Sequence, residues 1–168
     1  QSLMSGLGRR TLPFLTELVL DRNSIGSAGA AALAAALSRG AMPSLFELVL
    51  TRNQIGDQGL IALAAPLRKH SALSRLFLDN NEIGDESLAA LVAPGEGVLP
   101  KLYLLRFDRD PITDAGCAKL IDALDNGVMP RMRQLLLHGA SASDEAKEAV
   151  IEAVDRAKAR QGAKFVAK

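Results

Sequence analysis

The stretch that decides the fold is Leu45-Phe46-Glu47-Leu48-Val49-Leu50-Thr51-Arg52-Asn53-Gln54-Ile55-Gly56-Asp57-Gln58-Gly59-Leu60-Ile61-Ala62-Leu63. Its apolar pattern changes period part-way along. Around Val49 the residues alternate, so Leu48 and Leu50 share one side of an extended segment and Val49 takes the other. Beyond Gly56 the spacing becomes helical, with Leu63 and Leu67 four residues apart on one stripe. Gly56-Asp57 stands between the two regimes, where a turn and a helix start are expected.

The same frame recurs along the chain. Leu15, Leu18, Leu20, Asn23 and Ile25 repeat it upstream, and Leu73, Leu76, Leu78, Asn81 and Ile83 downstream. A fourth copy runs Leu102, Leu105, Phe107, Asp110, Ile112, and a fifth, more decayed, runs Met132, Leu135, Leu137, Ala140, Ala142. The first positions lie 30, 28, 29 and 30 residues apart. A period of that size marks stacked supersecondary units. Each unit reads as strand, turn and helix. Leu33/Leu37, Leu63/Leu67, Leu120/Leu124 and Val150/Val154 form the helical stripes. Pro13, Pro43, Pro100 and Pro130 stop the helical segment and return the chain to the next strand.

One such unit cannot bury its own apolar face, so the units must stack, with the strands pairing in parallel and the helices on the far side. Asn23, Asn53 and Asn81 each offer two donors and an acceptor, enough to join turn amides and carbonyls of neighbouring units. In the fourth unit Asp110 cannot donate and Pro111 has no amide, so that rung is expected to be locally reshaped. Ser27, Asp57, Asp85, Asp114 and Asp144 are expected to cap their own helices.

The run Leu-x-x-Leu-x-Leu-x-x-Asn-x-Ile-Gly-Asp-x-Gly-x-x-x-Leu, seen best at Leu45 to Leu63, resembles the ribonuclease-inhibitor-like class of leucine-rich repeat proteins. NOD-like receptors and Ran GTPase-activating protein carry repeats of the same class. The resemblance implies an α/β leucine-rich repeat solenoid, a horseshoe with a parallel β-sheet on the concave face and α-helices on the convex face. Members share a scaffold and differ in what they bind. The departures are in units four and five, and in unit three, where Pro94-Gly95-Glu96-Gly97 shortens the helix.

The expected organisation has four parts. Residues 1–14 match the helix and return loop of a truncated preceding repeat, since Leu3 and Leu7 stand before Leu15 as Leu33 and Leu37 stand before Leu45. A longer array upstream is therefore expected. Residues 15–142 form the repeats, residues 143–160 a polar C-terminal capping helix, and residues 161–168 a basic flexible tail.

If the leucines face inward, the residues between them project from the concave sheet. The middle column is then Val19, Val49, Phe77, Arg106 and Leu136. Flanking it are Glu17, Glu47 and Arg75 on one side, with Asp21, Thr51, Asp79, Asp108 and His138 on the other. Arg22, Arg52 and Arg109 follow, and local pairing with Asp21, Thr51 and Asp108 is expected to absorb much of their charge. An apolar column with a charged rim is the anatomy of a protein-binding surface, with Phe77 as its anchor.

Other classes are disfavoured. Lys plus Arg number 20 against 19 Asp plus Glu, so no net field recruits nucleic acid or anionic lipid. A nucleic-acid groove also needs stacking aromatics, and the concave columns offer only Phe77. No apolar run is long enough for membrane insertion. A single cysteine, Cys117, fits a reducing, intracellular, cytoplasmic setting, and its helix position suggests a half-buried structural thiol. Neither His70 nor His138 has a nucleophile or ligand cluster at useful spacing, and neither Gly6-Leu7-Gly8 nor Gly95-Glu96-Gly97 is followed by Lys-Ser/Thr. No cofactor, metal or catalytic group is expected. The leading expectation is a non-catalytic module binding a protein partner through the concave face. The alternatives are a GTPase-activating regulator of the Ran type, by family analogy, and a structural or scaffold subunit of a large assembly.

Overall fold

A computed structural model describes residues 6–95 and 98–166, with the side chains of residues 163–166 outside the description. Five strand–helix units follow one another: β1 (Glu17–Val19) and α1 (Gly26–Ser38), β2 (Glu47–Val49) and α2 (Gly56–Arg68), β3 (Arg75–Phe77) and α3 (Asp85–Val92), β4 (Leu104–Arg106) and α4 (Asp114–Asp125), β5 (Gln134–Leu136) and α5 (Asp144–Val166). The strands form one parallel sheet in sequence order. Register is kept across it, Leu18 pairing with Leu48, Leu48 with Leu76, Leu76 with Leu105 and Leu105 with Leu135. The sheet therefore buries one face against the helices and leaves the other open.

The core is a stack of equivalent layers. Leu48, Leu76 and Leu105 are fully buried, as are Leu33, Leu63, Leu120 and Val150 on the helices. Cys117 is fully buried rather than half-buried, because its helix position points into the same layer as Ala30 and Leu60. α3 ends at Val92, just before Pro94, as the Pro-Gly pair predicts.

The asparagine ladder is present and directional. Asn53 Oδ1 accepts from Asn23 N at 3.0 Å and Ile25 N at 3.3 Å, and Asn81 Oδ1 accepts from Asn53 N at 2.7 Å. Each amide nitrogen donates backwards as well, Asn53 Nδ2 to Leu20 O and Leu50 O, Asn81 Nδ2 to Leu50 O and Leu78 O. These bonds hold turns in which Arg22, Ser24, Arg52 and Gln54 all adopt positive φ, a conformation that disfavours side chains.

At the fourth rung Asp110 Oδ1 still accepts from Asn81 N at 2.8 Å and Ile83 N at 3.0 Å. Its Oδ2 is buried without a partner among the described residues, on the side where the asparagines donate. Burial pushes the Asp110 carboxyl up to about 7, against opposing amide hydrogen bonds. The corner before it changes too. Gly26 and Gly56 take positive φ and donate to the Asn53 and Asn81 carbonyls, whereas Gly84 is extended. The Gly84 amide donates to Asp57 instead.

Capping differs from expectation. Ser27, Asp57, Asp85 and Asp114 do not cap their own helices; α1, α2 and α3 have no side-chain bond at the N-cap. The aspartates reach forward instead. Asp57 Oδ1 accepts from Gly84 N at 2.8 Å and from Ser87 Oγ; Asp85 accepts from Thr113 N at 2.9 Å and Thr113 Oγ1 at 2.6 Å; Asp114 accepts from Ser143 N at 2.6 Å and Ser143 Oγ at 3.0 Å. α4 and α5 are self-capped, but by Thr113 and Ser143, one residue earlier than expected. The helix starts stack so closely that a Cβ on Gly116 would collide with the Asp85 carboxylate.

At the ends, residues 6–14 lie against the α1–β2 loop, Arg10 N donating to Gly40 O and Leu12 N to Ala41 O. Leu3 falls outside the described residues, and Leu7 packs on the core. α5 continues past Arg160 to Val166, into the stretch expected to be a flexible tail. Its anchors are on the preceding unit: Arg160 donates to Leu124 O and Asp125 O, Arg156 pairs with Asp125, and Gln161 reaches Pro130 O. Among the described residues no helix is long and apolar enough to cross a membrane.

Candidate protein-binding face

The open face of the sheet carries the columns that the alternation predicts. Val19, Val49, Phe77, Arg106 and Leu136 are consecutive partners in register. Val19 is 57% exposed and Leu136 41%, while Val49 and Phe77 are half-buried. The apolar column is continuous over β1–β3. On β4 it is interrupted by Arg106, whose guanidinium covers the Phe77 ring at 5.7 Å from its centroid.

Arg106 is the centre of a network that sequence reading missed. Its Nε meets Asp79 Oδ1 at 3.0 Å and its Nη2 meets Asp108 Oδ2 at 2.9 Å. Asp79 is buried and also accepts from Thr51 Oγ1 at 3.1 Å and from Asp108 N at 3.0 Å. Asp108 Oδ1 in turn accepts from His138 N at 2.8 Å. One chain of bonds thus ties four neighbouring units together. A buried carboxylate so satisfied is held in place and is costly to strip of its cation. The signal was available only through register: Asp79, Arg106 and Asp108 occupy adjacent columns on adjacent strands.

Beside it, Glu47 and Arg75 form an ion pair at 3.2 Å, and Arg75 lies 5.6 Å from the Phe46 ring centroid. Glu17 on β1 and Asp21 in the turn just past it are exposed. The expected local pairing of the three turn arginines holds only for Arg22, 3.8 Å from Asp21. Asp108 is taken by Arg106 and Thr51 by Asp79, which leaves Arg52 and Arg109 without an ion pair among the described residues. Both are exposed in positive-φ turns.

No group of three or more His, Cys, Asp or Glu able to hold a metal occurs among the described residues. His70 is a staple. Its Nδ1 accepts from Leu73 N at 3.2 Å and its Nε2 meets Met42 O at 3.0 Å, which fixes the neutral Nε2–H tautomer; burial lowers its pKa. Cys117 is likewise inert, its thiol pushed up by burial and then by Asp114. The open face offers hydrogen-bonded charge and aligned apolar surface, which suits contact with a macromolecule.

The family model described as "Leucine Rich repeat" matches residues 11–34 and 41–64. Among solved structures, one titled "Leiomodin-1 Actin-Binding Site 2 (ABS2)" superposes with a TM-score of 0.76 at 18% identity, covering 94% of this chain and 88% of that one. The chain is a leucine-rich repeat solenoid. The tropomodulin C-terminal domain of Caenorhabditis elegans matches with a TM-score of 0.69 at 19% identity, covering 95% of this solenoid and 94% of that chain. No curated protein matches the sequence. At these identities the structural likeness carries the fold alone. In solenoids of this kind the strands line the inner curve, which makes the open face of the sheet the concave one.

Proposed function

We propose that this solenoid is a non-catalytic, intracellular protein-interaction module whose partner lies across the concave face. The observation that carries the reading is the apolar column Val19–Val49–Phe77 on the open face of the sheet, in register and partly exposed, bordered by Glu17, Glu47, Arg75, Asp21, Arg22 and Arg52. Leu136 with His138, Asp108 and Arg109 extends it beyond Arg106. Interfaces place aromatic and apolar anchors within such a polar rim. The polar helix α5, bound to α4 through Asp125, serves in this reading as the cap of the repeats at residues 15–142. Because the leiomodin-1 structure is titled an actin-binding site, actin is the first partner to try.

The test is affinity capture from the native source, with a parallel actin titration, comparing wild type with the Val49→Glu/Phe77→Glu double variant. The reading requires the variant to lose the partner while keeping its circular-dichroism melt. Equal capture by both proteins removes the concave face as the site.

A second reading, GTPase-activating regulation, draws on Arg52 and Arg109, which are exposed and without an ion pair among the described residues. An arginine presented to a bound nucleotide stabilises phosphoryl-transfer charge. Unchanged GTP hydrolysis across a panel of small GTPases excludes it.

A further inference from the structure

The near-zero net charge hides a segregated one. The loops that return from helix to strand, residues 9–16, 39–46, 69–74, 93–103 and 126–133, contain a single acidic residue, Glu96. They carry Arg9, Arg10, Lys69, Lys101, Arg131 and Arg133, besides Arg39, which donates to Leu7 O. All lie along the rim at the amino ends of the strands. The opposite rim, where strands run into helices, is mixed but richer in acid: Asp21, Asp57, Glu82, Asp85, Asp108 and Asp114 stand there against Arg22, Arg52 and Arg109.

The basic rim is also where exposed aromatics collect. Phe14 is 90% exposed, and Phe46 and Tyr103 are each 42% exposed. The main chain keeps these positions in line: Ser74 N donates to Phe46 O and Tyr103 N to Ser74 O, one rung after another. Rungs of a sheet are about 4.8 Å apart, which sets Phe46 and Tyr103 about 10 Å from each other. A shallow groove bordered by Thr16, Phe46, Ser74, Lys101 and Arg131 runs along this rim. Lys101, Arg131 and Arg133 form no ion pair among the described residues.

We propose that this rim is a second binding surface, separate from the concave face, and that it takes an acidic peptide segment of a protein partner with apolar anchors between its carboxylates. Carboxylates reach Lys101, Arg131 and Arg133, while apolar side chains cover Phe14, Phe46 and Tyr103. The alternation of cation and ring selects protein over the other polyanions. A phosphate backbone buries no apolar surface, and base stacking needs open ring faces, whereas the Phe46 face is already covered by Arg75. Insertion into a bilayer needs several aromatics that project freely, and of the three only Phe14 does, Phe46 and Tyr103 being more than half covered.

The chain has one tyrosine and no tryptophan, so Tyr103 reports the rim by itself. The experiment selects random displayed peptides on the whole protein, then titrates the selected peptides into protein labelled with 3-fluorotyrosine and follows the single fluorine resonance. The proposal expects peptides rich in Asp, Glu and apolar residues that shift the resonance saturably. Their binding should weaken as ionic strength rises from about 0.1 M to about 1 M, where the screening length falls to about 3 Å. Lys101→Glu/Arg131→Glu and, separately, Phe14→Ser should each weaken binding about tenfold or more. Phe14→Ser changes a side chain in solvent, so misfolding does not explain its loss. Val49→Glu/Phe77→Glu should bind these peptides as wild type does, which separates this surface from the concave one. Selected peptides that are basic, that leave the fluorine resonance unmoved, or that ignore the rim variants overturn the proposal. So does saturable movement of that resonance by phosphatidylserine vesicles or oligothymidine in preference to the acidic peptides.

Discussion

The Asp57 carboxylate accepts a hydrogen bond from the Gly84 amide at 2.8 Å, so the helix of one unit is started by a side chain of the unit before it. Asp85 and Asp114 repeat the arrangement on Thr113 and Ser143. The helix start is thereby an inter-unit contact, and its loss should be felt at two places at once.

Replacing Asp85 by Ala removes both bonds to Thr113 and should lower the unfolding free energy by about 1–2 kcal/mol. Asp144, whose contact is the exposed pair with Lys147 at 3.6 Å, should change it by less than about 0.5 kcal/mol when replaced by Ala. Urea denaturation of both variants decides this, and equal losses would contradict the forward-reaching cap.

Gly116→Ala drives a methyl group into the Asp85 carboxylate and should cost about 1–3 kcal/mol. Combined with Asp85→Ala the contact with the carboxylate disappears and only the Ile112 methyl group has to give way, so the double variant should lose less than the sum of the two. Strict additivity in a double-mutant cycle would place the strain elsewhere.

Asp110 makes stability depend on pH in an unusual direction. Its folded-state carboxyl sits at about 7 against an ordinary 3.8. The folded state therefore binds the proton more tightly, and this stabilisation is complete below pH 3.8 and fades as pH rises through 7. Asp110→Asn restores a donor at the orphaned Oδ2 position and should stabilise the protein at pH 8 by about 1–2 kcal/mol. The gain should shrink toward pH 4. Chemical denaturation across that range measures it, and a destabilised Asn variant at pH 8 would refute the assignment.

His70 acts with the opposite sign. Burial lowers its pKa below 6.5, so the neutral ring is favoured in the folded state. Its contribution is present above pH 6.5 and is lost as pH falls below it. Protonation puts a hydrogen on Nδ1, which accepts from Leu73 N, and breaks the staple. The imidazole resonances in a heteronuclear titration should show the Nε2–H tautomer near neutral pH and a midpoint below 6.5. A midpoint above that value would reverse the reading.

Arg106→Met leaves the buried Asp79 carboxylate without its cation and should cost about 1–3 kcal/mol. Adding Asp79→Asn should recover part of the loss, because the amide needs no counter-charge. A melt of the double variant no higher than that of Arg106→Met would argue against a paired buried charge.

The unit boundaries, the in-register leucines and the asparagine ladder were legible because each depends on residue type at fixed spacing. The in-register column Val19–Val49–Phe77 on the open face was legible for the same reason. Arg106 was not, since its role depends on two carboxylates of the neighbouring column: Asp108 is local, but only strand register brings Asp79 to it. The aspartate caps were misassigned for a related reason: Asp and Ser favour helix starts wherever they fall, and propensity does not say whose helix they start. The helical continuation past Arg160 escaped notice because polar composition suggests a tail, while the contacts of Arg156, Arg160 and Gln161 with the preceding unit hold it in place.

The two ladders run in opposite directions along the chain. Each of the first three turns borrows its acceptor from the unit that follows, as Asn23 does from Asn53, whereas from the third unit on each helix borrows its start from the unit that precedes. A chain emerging from the ribosome can therefore begin a helix as soon as the earlier aspartate is in place, but cannot close the turn behind it until another unit has been synthesised. Completion of those three turns trails synthesis by one repeat, and at the fifth unit Ala140 has no side-chain acceptor to lend. There the side chains of α5 that reach Leu124, Asp125 and Pro130 fasten the final helix by other means.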